Sequence, residues 1–426
     1  LSGGKEKLKI LMIAPTSFFS DYGAHVRPYE EIIALQAQGH QVVVCTYGSG
    51  NPVPGVDIRR AKLTGRSQVS IGSSKRKMLF DILLFFRTLW TAWSFRPDII
   101  HAHLHEGALI GHFTRLFYPL HNAPVIFDYQ GSLTAEMVDH RFMRKSSRFY
   151  KPFRLLETFI DRLSGAIIAS SHNAASLLRQ EYHVRAERIF TIGDGVDTSR
   201  FCPPTGAAQA EVAVLRASLG IPAERKVFVY LGKLAPYQGT DLLLEAAKLL
   251  LPDHPDYHFL VMGYPGADDY RRLAEYLGLG AHVTFTGRIP YAEAHRYLAI
   301  GDVAVAPKLS ETEGAGKIAN YMATALPTVT FDTPVGREFL GDQGYYPVST
   351  DAAALAATLD AAMCDPQRVQ RGLALRRKAI MERSWQRAAK DIVSVYQMAR
   401  AQQFTMLDRL RTQPHSLPSA KGKPGE

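Results

Sequence analysis

The densest set of groups able to do chemistry lies in Ser310-Glu-Thr-Glu-Gly-Ala-Gly-Lys-Ile-Ala-Asn320. Glu313 is an acceptor for hydroxyls, and Gly314 and Gly316 allow close backbone approach. The amides from about 315 to 318 open a helix whose positive end favours phosphate. Asn320, one helical turn further, offers both a donor and an acceptor to a ribose diol. A glycine-rich strand-to-helix turn carrying a surface Glu accounts for the same spacing, and spacing alone leaves both readings open.

A second set lies in Gly232-Lys-Leu-Ala-Pro-Tyr-Gln-Gly-Thr-Asp241. Lys233 leaves a strand end where a cation neutralises a departing diphosphate, Gly239 permits a tight turn, and Asp241 is placed to cap the next helix. A solvated surface lysine is the other reading of Lys233. His101, His103 and His105 alternate along one strand and its exit, which predicts all three on one face. A zinc site would need further ligands, and no second ligand motif accompanies them, so a structural role is favoured and no metal is expected.

Positioning these groups requires two sheets. Strand-length apolar runs at Leu8–Ala14, Gln41–Cys45, Asp98–His101, Pro124–Tyr129, Ala166–Ala169 and Arg188–Ile192 alternate with helical stretches. The pattern restarts after Pro203-Pro-Thr-Gly206 with Lys226–Gly232, His258–Gly263, His282–Thr286, Val303–Ala306 and Pro327–Phe331. Such alternation predicts an α/β protein with two parallel-sheet domains in tandem and a ligand cleft at the carboxyl ends of the strands. The expected division is residues 1–200, 201–384, a C-terminal helix at 385–405 packing back on the first domain, and a disordered tail at 406–426.

Several motifs in this order resemble the GT-B glycosyltransferases, specifically the retaining family 4 of group 1 type. Glu313-Gly-Ala-Gly316 and Tyr321-Met-Ala-Thr-Ala-Leu-Pro327 match its Glu-Gly-Phe-Gly and Ala-Met-Ala-x-Gly-x-Pro patterns. Gly232-Lys233 is similar to its phosphate contact, and Ile192-Gly-Asp-Gly-Val-Asp-Thr-Ser-Arg-Phe-Cys-Pro203 to its interdomain segment. Phe285-Thr-Gly-Arg-Ile-Pro290 resembles the strand end whose backbone meets the base, which brings in Arg288 and Ile289. Asp21-Tyr-Gly-Ala24, with Gly23, stands where the family's glycine-rich loop faces the donor phosphates. Three departures stand out: Asn320 replaces a second Glu, Gln238 a frequent Lys, and Gln130 or a neighbour a His that contacts the sugar.

The resemblance implies two facing Rossmann-like domains and a metal-independent, retaining transfer from a UDP- or GDP-sugar, with no other cofactor. Glu313 and Lys233 become the expected catalytic residues, with Gly23, Gln130, Gln238, Arg288, Ile289, Gly314, Ala315, Gly316, Lys317 and Asn320 binding the donor. The diphosphate itself takes the acceptor proton in a front-face scheme, so no dedicated base is required. The alternative is a catalytically degenerate protein of the same fold that binds nucleotide-sugars or acts as a scaffold, suggested by the three departures.

Composition limits the partners. The chain of 426 residues is 46% hydrophobic and 21% charged, which is ordinary for a folded protein. Its three cysteines are far apart, which excludes a disulfide framework or a CxxC metal site and favours a reducing, cytoplasmic setting. Leu1-Ser-Gly-Gly4 does not read as a secretory leader. Residues 1–200 carry 25 Lys and Arg against 17 Asp and Glu, so the net charge of +10 sits mostly in the first half. A phosphate-bearing or anionic-membrane partner fits that asymmetry, whereas nucleic acid lacks any supporting motif. Arg141, Arg144, Lys145, Arg148 and Lys151 mark an acceptor or membrane surface, with 141, 144, 148 and 151 at helical spacing. A solvated charged connection reads equally well there. The acceptor implied by the resemblance is a glycan or lipid-linked molecule, with the protein peripheral at the inner face of a membrane. Lys75–Trp93 is strongly apolar, with a narrow polar stripe at Asp81, Thr88 and Thr91; it is expected as a helix beneath the first sheet, with a helix lying in a membrane surface as the alternative.

Overall fold

A computed structural model describes residues 6–20, 23–61, 77–118, 123–139, 142–309 and 316–401. Two parallel sheets form the frame. The first contains β1 (Lys9–Ala14), β2 (Gln41–Tyr47), β3 (Asp57–Ala61), β4 (Ile99–His103), β5 (Val125–Tyr129), β6 (Ala166–Ala169) and β7 (Ile189–Thr191), in the order β3-β2-β1-β4-β5-β6-β7. The second contains β8 (Lys226–Leu231), β9 (Tyr257–Met262), β10 (Val283–Gly287), β11 (Val303–Ala306) and β12 (Thr328–Thr330), in the order β10-β9-β8-β11-β12. Every pairing is parallel, and the central strands are buried on both faces, which explains their continuous apolar runs. Strand order reverses between β1 and β4 and again between β8 and β11. Ligands of open α/β sheets bind at such switch points.

Two buried clusters flank the first sheet. Ile10, Met12 and Ala14 face one, and Leu11 and Ile13 face the other, as the two-residue period of a strand requires. The first of these clusters continues into the second sheet through Val196, Phe201, Ile289 and Tyr291, so one core joins the two halves. Helix Trp385–Ala401 packs against helix Gly23–Ala37, with Trp385, Ile392 and Tyr396 buried. The expected tail at 406–426 lies outside the described residues.

Two sequence expectations are corrected. The basic segment is not a continuous helix: residues 142–149 form turns, and the helix runs Tyr150–Leu163, so only Lys151 of the five cations lies on it. Pro152 sets that start. It has no N–H, and its ring would collide with the carbonyl of Arg148 if the helix reached further back. Arg141 lies outside the described residues.

Helix Lys77–Phe95 is not an interior element either. It covers β2 and β3 with Phe80, Leu84, Thr88, Thr91 and Ala92, while Met78, Leu79, Ile82, Phe86, Trp90 and Trp93 are exposed. The polar stripe therefore points inward. Asp81 accepts a 2.5 Å hydrogen bond from the Tyr47 hydroxyl, and Thr88 and Thr91 lie over buried Cys45, whose thiol burial pushes up to about 11. A hydrogen-bonding demand from beneath, set by Tyr47 and Cys45, decides which face turns in.

Burial raises the Asp81 carboxyl from its ordinary value to about 6, with the Tyr47 hydrogen bond opposing the shift. Because the folded-state value lies above the unfolded one, folding favours the protonated form, and that contribution is lost as pH rises through about 6. Asp81→Asn keeps an acceptor for Tyr47 without the charge. It is expected to raise the thermal midpoint at pH 8 and to leave it nearly unchanged at pH 4, as measured by calorimetry.

Candidate functional site

The carboxyl ends of both sheets face one another across the interdomain cleft, and the best-ordered chemistry on the first side is a buried arginine. Arg27, on the second turn of helix Gly23–Ala37, is only 4% exposed. Its Nε and Nη2 donate to the two oxygens of Asp128 at 2.9 and 2.8 Å, and Nη2 also donates to the Ile192 carbonyl at 3.1 Å. Nη1 reaches Asp194 Oδ1 at 3.0 Å, and Nε lies 3.1 Å from Glu31 Oε1. The Trp385 ring lies 6.0 Å below the guanidinium. One side chain thus joins β5, the interdomain segment and the C-terminal helix.

Around it lie His101 and His103 of β4, stacked with ring centres 4.6 Å apart. His103 Nδ1 donates to Asp128 Oδ2 at 2.7 Å, and His101 Nδ1 shares a hydrogen bond with the Tyr396 hydroxyl. Burial opposes ionisation of Asp128, but Arg27 and His103 hold its carboxyl well below the usual range. Glu31 goes the other way: burial and the Asp128 charge push it up, outweighing Arg27. Burial and its neighbour His103 lower His101. Ligand atoms of Glu31, His101, His103 and Asp128 lie within 4.8 Å of one another, but Arg27 already holds both carboxylates and would repel a cation placed among them.

His105 departs from the expected shared face. The strand ends at His103, Leu104 takes φ +62°, and a helix starts at Leu104. That turn sends His105 to the opposite face of the sheet, against Phe127 and Tyr129, with Nε2 at 3.1 Å from Asp161 Oδ1. Gln130, just past β5, donates through Nε2 to Asp128 Oδ2 at 3.1 Å, so it stands at the rim of the arginine cluster. Gly23 opens the helix that carries Arg27.

On the second side, the loop after β8 and the helix Gly316–Ala323 after β11 meet at the switch point. Gly239 has φ +74°, and a Cβ there would lie 1.8 Å from the Pro307 carbonyl oxygen, so only glycine lets the two loops touch. Lys317 Nζ donates to Gln238 Oε1 at 2.9 Å and lies 4.5 Å above the Tyr230 ring. A Cβ on Gly232, at φ +149°, would approach the same ammonium to 2.8 Å. Lys233 Nζ lies 5.4 Å over the Tyr237 ring, and Arg288 5.5 Å over that of Tyr264, whose hydroxyl donates across the cleft to the Ser20 carbonyl. Ile289 is buried in the shared core, and Asn320 is 7% exposed on the inner face of its helix. Glu313, Gly314 and Ala315 lie outside the described residues.

The halves meet at Gly316. A Cβ there would lie 3.4 Å from Asp194 Oδ2, so the carboxylate held by Arg27 faces the first amides of the helix. Arg27, Asp128 and Asp194 were not singled out from sequence as a set. Asp194 stood inside a quoted motif and Asp128 inside a strand-length run, and the one signal for Arg27 was a cation amid the apolar face of an early helix.

Residues 23–200 match the family described as Glycosyltransferase Family 4, and residues 212–380 match Glycosyl transferases group 1. The chain belongs to this GT-B family. It is 25% identical over 250 residues to a D-inositol 3-phosphate glycosyltransferase of Jonesia denitrificans, covering 56% of this chain and 58% of that one. Over 240 residues it is 28% identical to a GDP-mannose-dependent alpha-(1-6)-phosphatidylinositol monomannoside mannosyltransferase of Mycolicibacterium smegmatis, covering 54% of this chain and 58% of the relative. Each of these two matches therefore spans somewhat more than half of the relative. Among solved structures, sucrose-phosphate synthase from Thermosynechococcus elongatus superposes with TM-score 0.76 at 18% identity, over 93% of this chain and all of that one. Anabaena HepE in complex with UDP and glucose gives 0.72 at 17% identity, over 92% and 99%. These likenesses establish the fold.

Removing Arg27 leaves two buried carboxylates without their cation. Arg27→Ala is expected to cost about 3–5 kcal/mol of stability, read from urea unfolding. Asp194→Asn, at a position that is 14% exposed, should cost clearly less.

Proposed function

We propose that the protein is a retaining, metal-independent glycosyltransferase that moves a sugar from a UDP- or GDP-sugar to a glycan or lipid-linked acceptor. The observation that carries this reading is the placement of Lys317 at the first turn of helix Gly316–Ala323, beside Gly232 and Gln238 at the strand switch point. A helix start and an ammonium converging on a crevice suit a diphosphate. The nucleotide named for the mannosyltransferase relative and the UDP of the Anabaena complex are compatible with such a donor.

In the proposed reaction the bond between the anomeric carbon and the diphosphate oxygen breaks, and its electron pair leaves with the diphosphate. The acceptor oxygen attacks the same face of the sugar, and its proton passes to the departing phosphate oxygen. The protein's task is to stabilise charge that grows on the diphosphate. Lys317, Lys233 and the amides at Gly316 take that role, with Arg288 reaching the phosphates or base from the end of β10. Glu313 and Gln130 orient sugar hydroxyls, and Asn320 is assigned to the ribose. The backbone beside Ile289 meets the base, since the Ile289 side chain is committed to the core.

Gln238 supplies no charge, yet it accepts a hydrogen bond from Lys317, so a cation stands within reach of position 238 from the neighbouring helix. This assignment allows an exchange test. With a panel of nucleotide-sugars, Lys317→Ala should lower donor hydrolysis or transfer about 10²–10³-fold, as loss of one group stabilising transition-state charge does. Adding Gln238→Lys to that variant should restore at least a tenth of the activity by returning an ammonium from the other loop. Unchanged activity in Lys317→Ala, or in Glu313→Ala, would remove the site assignment. Nucleotide binding without turnover across the panel would favour a binding protein instead.

A further inference from the structure

Three neighbouring helices cover the outer face of the first sheet: Lys77–Phe95, Leu104–Phe117 and Tyr150–Leu163. Large apolar side chains dominate their solvent side. On the first, Met78, Ile82, Phe86 and Trp90 point outward with exposures of 73, 50, 60 and 72%, and Trp93 follows at 47%. Phe113, Leu116 and Phe117 continue the face on the second helix, and Leu155, Leu156 and Phe159 on the third. Phe86, Trp90 and Trp93 alone leave on the order of 300–400 Å² bare, given 150–250 Å² per aromatic side chain. That already matches the largest patch of an ordinary monomer, about 300–600 Å².

The orientation of the first helix sharpens the point. It hides its polar stripe against the sheet and shows its apolar stripe outside, the reverse of a helix whose outer face meets water. It cannot be a spanning helix, because its other face is fastened to β2 and β3.

We infer that this face docks on an anionic membrane, with the helix Lys77–Phe95 lying in the plane of the interface and its aromatic side chains among the acyl chains. Charge selects this occupant over a second copy of the chain. At the Tyr150 end, Arg144, Lys145, Arg148 and Lys151 stand exposed beside the apolar face, a cationic border that attracts acidic headgroups and would oppose itself across a symmetric dimer. At the same end an open groove of about 390 Å³ has Met137, Phe142, Met143, Phe149 and Phe153 on its apolar side and Arg144, Ser146 and Ser147 on its polar side. Apolar walls beside a cation fit one chain of an anionic lipid. The inference extends the proposed function by giving a lipid-linked acceptor its place, but binding to vesicles needs no donor and no turnover.

The full chain has three tryptophans, and Trp385 is buried, so its emission reports on the docking face through Trp90 and Trp93. With vesicles of phosphatidylglycerol and phosphatidylcholine, the protein should co-sediment, its emission should shift to the blue, and bromine-labelled acyl chains should quench it. Phe86→Glu combined with Ile82→Glu should reduce the bound fraction at least tenfold. Arg144→Glu with Arg148→Glu should remove the preference for anionic over pure phosphatidylcholine vesicles. Both double variants should keep the far-ultraviolet dichroism of the parent, and the Phe86→Glu, Ile82→Glu variant should also keep its soluble donor hydrolysis. Failure to sediment, sedimentation without quenching, or a dimer in sedimentation velocity that the Glu substitutions dissociate would each overturn the inference. Loss of activity with lipid binding intact would count against the enzymatic reading alone.

Discussion

A guanidinium buried among carboxylates fixes the wall of the first domain that faces the second half of this molecule. Arg27 reaches Asp128 at the end of β5 and Asp194 in the interdomain segment. Removing a cation and anions from water costs several kcal/mol per ion, and such a group persists only when it is fully paired. The arrangement is correspondingly inflexible. Asp194 cannot leave its place beside the start of helix Gly316–Ala323 without releasing Arg27. The cleft's inner wall is therefore set by electrostatics as much as by the apolar core that runs between the sheets.

Local charges follow from that constraint. The cation holds Asp128 ionised, while Glu31, pressed into the same dry space, is pushed toward its neutral form. His101 is driven toward neutrality as well, which lets it meet the Tyr396 hydroxyl from the C-terminal helix without a second buried charge. The last helix is thus tied to the first sheet by a polar contact inside an otherwise apolar interface.

Much of the frame was legible in the sequence because buried parallel strands are continuous apolar runs. The strand missed was β3, Asp57-Ile-Arg-Arg-Ala61, an edge strand whose charges guard its open side and hide its period. Motif spacing pointed to the loops at 232–241 and 310–320, but it did not reveal that Lys317 leans onto Gln238, since that contact joins residues 79 apart in the chain. The bracing role of Arg27 was hidden for the same reason: two of its partners, Asp128 and Asp194, lie 101 and 167 residues away. The orientation of Lys77–Phe95 failed for a different cause. A narrow polar stripe on an apolar segment does not say which side meets the sheet, and here Tyr47 and Cys45 draw it inward.

The central claim is that a diphosphate rests between the start of helix Gly316–Ala323 and the first-domain wall that Arg27 braces. Titration calorimetry of the full chain with matched nucleoside diphosphates and monophosphates addresses it most directly. The account predicts that one diphosphate binds at least tenfold more tightly than its monophosphate, about 1.4 kcal/mol from the second phosphate. Equal affinity for the two, or no binding of any nucleotide, would contradict it.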